Sequence, residues 1–95
     1  MPVVFDPVKD LANQIKHGVS LALAEAFDME GALIRDDLRF AYGEGRVIAT
    51  GLIGNRVFVM VYTMRGETMR IISLRKANRR EVLKYVYETE GSYPD

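Results

Sequence analysis

The stretch RIISLRKANRRE, Arg70 to Glu81, runs a strand pattern straight into a helix start. Asn78, with Glu81 three residues on, has the spacing of a capping box and predicts the first turn of a helix. Basic residues crowd the junction: Arg70, Arg75, Lys76, Arg79 and Arg80. Arginine is a planar, always-charged fork that takes phosphate oxygens two at a time. In a chain of zero net charge, such a cluster points to a phosphodiester site rather than to a general affinity for polyanions. Strict alternation along the strand sets Met69, Ile71, Ser73 and Arg75 on one face, and Arg70, Ile72 and Leu74 on the other. Arg75 then ends the strand beside the helix N-terminus, whose free N–H groups favour an anion. Arg79 and Arg80 fall in the first helical turn, where they oppose the dipole. The competing reading of these bases is a solvated helix face, ion-paired to Glu81 or Glu88.

Upstream of this junction the pattern is of paired strands. Arg56–Met64 is the strongest, with Val57, Val59 and Val61 on one side and Phe58, Met60 and Tyr62 on the other. Apolar residues on both faces predict a central strand. Gly54-Asn55 predicts a tight turn back to a strand over Arg46–Ile53, and Arg65-Gly66-Glu67 turns the chain into Thr68–Arg75. Ala32–Ile34 reads as a short strand before a polar loop, Arg35–Arg39.

The first thirty residues read differently. Val3–Phe5 is a short apolar start suited to an edge strand. Asp6-Pro7 opens a helix, with Asp as N-cap and Pro at the first helical position. Leu11 and Ile15, with the alkyl part of Lys16, form its one-sided stripe, and Gly18 closes it after Lys16 and His17. A second helix is expected from Ser20 as N-cap through Leu21–Phe27. The last helix should bury Val82, Leu83, Val86 and Tyr87, and 88–95 should be a frayed tail. The order β-α-α-β-β-β-β-α predicts an α+β fold. It comprises two N-terminal helices, a four-stranded, mainly antiparallel sheet and a C-terminal helix, in a single domain over 1–95.

Composition narrows the function classes. The 95 residues are 48% hydrophobic and 27% charged, as in ordinary globular proteins. No apolar run approaches the ~20 residues needed to span a bilayer, and MPVVFDPVKD lacks the features of a secretory leader. There is no cysteine and a single histidine, which excludes thiolate and multi-histidine metal sites. A cytoplasmic protein without a cofactor is expected. Charge is polarised along the chain: residues 1–44 hold eight acids and four bases, and residues 45–84 nine bases and two acids. This asymmetry hints at a basic surface.

Chemistry must therefore come from Arg, Lys, His and Glu. His17 alone has an ordinary pKa near neutrality and is the natural acid–base candidate, although a histidine in a last helical turn can simply cap carbonyls. Glu44 and Arg46 can supply a base and a phosphate clamp, or form a surface pair of little consequence. Asp36-Asp37 falls in the expected loop without histidine support, so a metal site has little basis. Tyr62 reads as core. This residue set suits RNA, whose own 2′-hydroxyl can act as nucleophile.

FDPVK (5–9), Asn13, KHGV (16–19), EAF (25–27), Arg46 with Gly51, VYT (61–63), RIISLRKA (70–77) and Glu81 together resemble the pattern of BrnT-type toxins. The resemblance covers about residues 3–87. It implies a RelE-like fold and a metal-independent endoribonuclease toxin of a type II toxin–antitoxin system, which halts translation. It implies a BrnA-type antitoxin as partner, RNA as substrate, and operator DNA bound only through the antitoxin complex. The pattern falls on Lys16, His17, Arg46, Arg70, Ser73, Arg75 and Glu81. The pattern marks positions and not roles; we expect Arg75 and Arg46 as clamps on the phosphate and transition state, His17 or Glu44 as proton carriers, and Lys16 as a substrate contact. Arg70, Lys76, Arg79 and Arg80 would extend the RNA-binding surface. Two positions depart from the pattern: Phe5 stands where Trp is usual, and Glu44-Gly45-Arg46 where Glu-Glu-Arg is usual. The alternative is a non-catalytic RNA-binding or inactivated toxin-like module.

Overall fold

The computed structural model describes residues 3–39, 41 and 43–91. Its elements are β1 (Val3–Val4), α1 (Pro7–His17), a 3-10 helix (Leu21–Ala26), β2 (Leu33–Asp36), β3 (Val47–Ile53), β4 (Arg56–Arg65), β5 (Thr68–Lys76) and α2 (Arg79–Glu90). They form an α+β fold around one five-stranded sheet of order β1-β5-β4-β3-β2. The sheet is mixed rather than four-stranded: β1 joins β5 in parallel, and all other pairings are antiparallel. β4 lies at the centre, buried from Val57 to Thr63, as its two apolar faces require.

Local chemistry sets most boundaries. Asp6 accepts the Val8 N–H at 2.8 Å with Pro7 at the helix start, and Gly18 closes α1 at φ 71°, a left-handed conformation that glycine adopts without penalty. Asn78 and Glu81 form the reciprocal capping box of α2. Gly54, at φ 62°, begins the two-residue β3–β4 turn. The second helix is shorter and tighter than expected, a six-residue 3-10 turn capped by Ser20. Arg35 and Asp36 belong to β2 rather than to a loop. The expected tail is helical as far as Glu90, with Gly91 as left-handed cap; 92–95 lie outside the described residues.

The main core fills one face of the sheet. Ala49, Phe58, Met60, Tyr62, Met69, Ile71 and Leu74 pack there against Val19, Leu21, Ala24 and Phe27. Gly51 makes this packing possible, because a Cβ at that position would lie 2.9 Å from the Phe27 ring and 3.2 Å from the Asp28 carbonyl oxygen. The opposite face carries a smaller cluster of Ile48, Val59 and Val61, with Ile72 and Ala77 against it.

Strict alternation fails in β5. Val61 pairs with Ser73 and Tyr62 with Ile71, so Ile72 is an extra residue, a β-bulge. The bulge reverses the phase of the strand. Met69 and Ile71 stay in the main core and Leu74 joins them, while Ile72, Ser73 and Arg75 belong to the opposite face. Arg70, on the other side of the strand from Met69, therefore shares a face with Arg75 instead of opposing it.

Both helices also turn differently from expectation. α1 sits at the edge of β5 with its polar side inward. Asn13 is buried there and bonds to Leu74 and Val19, and Asp10 accepts the Leu21 N–H at 2.7 Å. The stripe of Leu11 and Ile15 thus faces outward instead of being buried. In α2 the buried residue is Tyr85, whose hydroxyl approaches the Gly31 carbonyl oxygen at 3.4 Å; Val82, Leu83 and Val86 are half-buried and Tyr87 is exposed.

Candidate active site

The sheet face opposite the main core is only partly covered, and a cleft of about 270 Å³ opens on it. Its floor is built from the register of four strands. Arg35 pairs with Ile48, Ile48 with Val61, and Val61 with Ser73, so one transverse row runs from β2 to β5. All four residues line the cleft, together with Val59 and Arg75 from the next row. Lys16 and His17 form one wall, carried there by the C-terminal turn of α1. Arg39 completes the opposite side.

The cleft is strongly cationic, since Lys16, Arg35, Arg39 and Arg75 all line it and, among the described residues, no carboxylate does. Its charges are nonetheless fixed by carboxylates just outside the lining. Glu81 holds Arg75 through two bonds of 2.7 and 2.9 Å, Nη1 to Oε1 and Nη2 to Oε2. The same Oε1 accepts the Asn78 N–H at 2.9 Å, so the helix cap and the arginine clamp share one side chain. Asp37, buried at the end of β2, accepts from Nε and Nη2 of Arg39, both at 2.8 Å. Arg75 keeps donors for a ligand, because a guanidinium has five N–H groups and its bonds to Glu81 use two of them.

These placements shift ionisation. Partial burial lowers the pKa of His17 below 6.5, and the positive charges of Lys16 and Arg75 lower it further. At neutral pH His17 is therefore a neutral imidazole, able to accept a proton beside a row of cations. Arg75 is raised, first by its hydrogen bonds to Glu81, against burial and the repulsion of Arg39. Glu81 is lowered, first by Arg75.

Of the residues singled out in the sequence, Lys16, His17, Ser73 and Arg75 converge on the cleft, and Glu81 holds Arg75 from just outside it. The others lie elsewhere. Glu44 approaches Arg46 at 4.0 Å and Arg65 at 3.5 Å, outside the lining. Their loop is pinned by Thr63, whose hydroxyl donates to the Gly45 carbonyl oxygen at 2.6 Å. Arg70 is half-buried, next to the β1 edge at Val4. Lys76 is exposed beyond the cleft, and Arg79 and Arg80 are exposed on α2 beside Tyr87 and Leu83. Tyr62 packs in the main core, and burial raises its pKa. Arg35 and Arg39 escaped the sequence reading. The only local signal was the spacing Asp37-x-Arg39, which permits a side-chain clamp but does not say which way it points.

The chain matches the family described as the ribonuclease toxin BrnT of type II toxin–antitoxin systems, over residues 5–81. It belongs to that family. The matched region contains the whole cleft and both carboxylates that fix its arginines. Membership also implies a protein antitoxin as partner. No curated protein matches the chain. Among the described residues no group of three or more His, Asp or Glu could hold a metal ion, and no helix is long and apolar enough to cross a membrane.

Proposed function

We propose that the chain is an endoribonuclease that cleaves RNA in this cleft without a metal, by attack of the substrate's own 2′-hydroxyl. The observation that carries the reading is the juxtaposition of one depressed histidine with four cationic side chains and, among the described residues, no lining carboxylate. Such a site attracts a phosphodiester and repels a divalent cation. In the reaction, neutral His17 takes the proton of the 2′-hydroxyl, and the oxygen attacks phosphorus. A 2′,3′-cyclic phosphate forms as the bond from phosphorus to the 5′-oxygen breaks. The leaving oxygen draws a proton from the Lys16 ammonium. Arg75 and Arg39, each already oriented by a carboxylate, meet the charge that builds on the phosphoryl oxygens. Arg35 holds the neighbouring phosphate.

In the cell this activity halts translation from the cytoplasm. A BrnA-type antitoxin restrains it, and operator DNA is contacted only through the complex. Glu44, Arg46, Arg70, Lys76, Arg79 and Arg80 then serve RNA beyond the cleaved bond or the local fold. The second reading, a non-catalytic RNA-binding module, is favoured by Gly45, where the family's usual pattern has a carboxylate.

Parallel induction of wild type and Arg75→Ala without antitoxin, following growth and total RNA, tests the reading. Growth arrest with RNA fragments ending in 2′,3′-cyclic phosphate, undiminished by EDTA in the purified reaction, is expected of wild type alone. Healthy growth with folded wild-type protein would favour the binding module. Fragments ending in 3′-hydroxyl would sink the 2′-hydroxyl route.

A further inference from the structure

α1 carries its hydrophobic side toward water. Val8, Leu11 and Ile15 are 74, 59 and 79% exposed, and at about 100° per residue they fall within an arc of roughly 60°. The inward side of the helix is polar, with Asp10 and Asn13 bonded to the rest of the fold. A single exposed leucine needs no explanation, but a whole aliphatic stripe on a short helix marks an interaction surface.

Two neighbouring features say what covers it. Lys9 and Lys16 flank the stripe on one side, and between α1 and β5 there runs a groove of about 190 Å³. Lys9, Ala12 and Ile72 line the groove together with Lys16, His17 and Ser73, and the last three also line the cleft. The apolar stripe, the lysine edge and the catalytic cleft therefore form one continuous path.

We propose that this path is the seat of an acidic amphipathic segment of the protein antitoxin. Its apolar side chains cover Val8, Leu11 and Ile15, and its carboxylates meet Lys9 and Lys16. From there it extends over His17 and fills the cleft in place of RNA. The docking part rests on family membership alone; the occlusion of the cleft rests also on the ribonuclease reading. A second copy of the chain fits less well. The stripe from Val8 to Ile15 is about 11 Å long on a helix about 10 Å wide, an area on the order of 100 Å² and far short of the roughly 800 Å² per partner of a stable interface, and a symmetric pair would bring lysine edges toward each other.

The test uses the full-length toxin with the cognate antitoxin from the adjoining reading frame. The variants are Leu11→Asp/Ile15→Asp, Lys9→Glu, and a control, Ile34→Asp, exposed on β2. Affinity by calorimetry and RNA cleavage with and without antitoxin are measured for each. The double variant should bind about a hundredfold more weakly and keep cleaving RNA when antitoxin is present. Lys9→Glu should weaken binding severalfold, and Ile34→Asp should behave as wild type. Wild-type affinity and full neutralisation of the double variant would overturn the proposal. So would a wild-type chain that is dimeric alone and becomes monomeric on the double substitution. If even wild type fails to cleave RNA, the ribonuclease reading fails, but calorimetry still decides whether the antitoxin sits on α1.

Discussion

Asn13 completes the free edge of β5 by pairing with both backbone groups of Leu74. Its carboxamide accepts the Leu74 N–H at 3.2 Å and donates to the Leu74 carbonyl oxygen at 2.7 Å. The same Nδ2 also donates to the Val19 carbonyl oxygen at 2.8 Å. A side chain thus takes the place of a neighbouring strand beyond the end of β1. Because His17 is one helical turn further on, these bonds also aim the proposed base at the cleft. Asn13→Ala leaves buried backbone groups without partners and should cost about 2–4 kcal/mol. Asn13→Asp, which sets a carboxylate against two carbonyl oxygens, should cost at least as much. Urea denaturation of the two variants checks this, and a loss within experimental scatter would deny Asn13 the role.

His17 has a folded-state pKa below 6.5 because burial, Lys16 and Arg75 all disfavour its cation. If its neutral form is the base, cleavage persists above that lowered pKa and declines on acidification only below 6.5. The same shift acts on stability. Above 6.5 the group is neutral in both folded and unfolded chains and contributes nothing, and stability falls as pH drops from 6.5 through the folded pKa. Lys16→Met removes one cause of the shift, so the acidic limb of its residual activity should move to higher pH. A limb unmoved by this substitution would mean that another group titrates.

Glu81 serves Arg75 and the α2 cap at once. In Glu81→Gln the cap survives in weaker form, since glutamine also completes capping boxes, but Arg75 loses its ionic partner. We expect RNA to bind as tightly or more so, because a negative charge leaves the vicinity of the cleft, while kcat falls about tenfold as the guanidinium loses its fixed aim. Wild type should also lose this pair's stabilisation in acid. The Glu81 pKa is lowered from 4.5, so the contribution is present above 4.5 and disappears as pH falls through the lower folded value. Single-turnover kinetics with separate affinity measurements distinguish the two effects; a pure loss of affinity would contradict the orienting role.

Gly45 occupies a position where a side chain has room, since no atom of the described residues lies within 4 Å of a Cβ built there and its φ is not positive. Gly45→Glu should fold with a stability change under about 0.5 kcal/mol. With His17 as base, cleavage should change less than about threefold. An increase of several orders of magnitude would make a carboxylate at 45 the true base and wild type an impaired enzyme.

The legibility of this fold followed the range of the interactions that set it. Asp6-Pro7, Gly18, Gly54-Asn55 and the Asn78–Glu81 box act within a few residues of themselves, and each stands where the sequence predicts. The two-faced pattern of β4 likewise located the centre of the sheet. What depended on distant partners was hidden. Alternation could not reveal the bulge at Ile72, because that irregularity exists only relative to β4. Nor could the apolar stripe of α1 reveal that Asn13, an ordinary polar residue in sequence, would be drawn inward by an unfinished strand edge. His17 and Arg75 were recognisable by their chemistry, whereas Arg35 and Arg39 reach the cleft only through the β2–β3 register.

The bulge in β5 gives this chain a dependence on counting. Pairing Ile72 in register with β4, in place of the bulge, would delete no charged group and no candidate for proton transfer. It would restore simple alternation, however, and carry Ser73 and Arg75 beneath the sheet, where the large aliphatic and aromatic side chains lie. Two chains with identical cationic inventories would then differ in whether those cations can meet an RNA strand at all. In this fold the identity of the residues is half of the active surface, and the parity of the intervals between them is the other half.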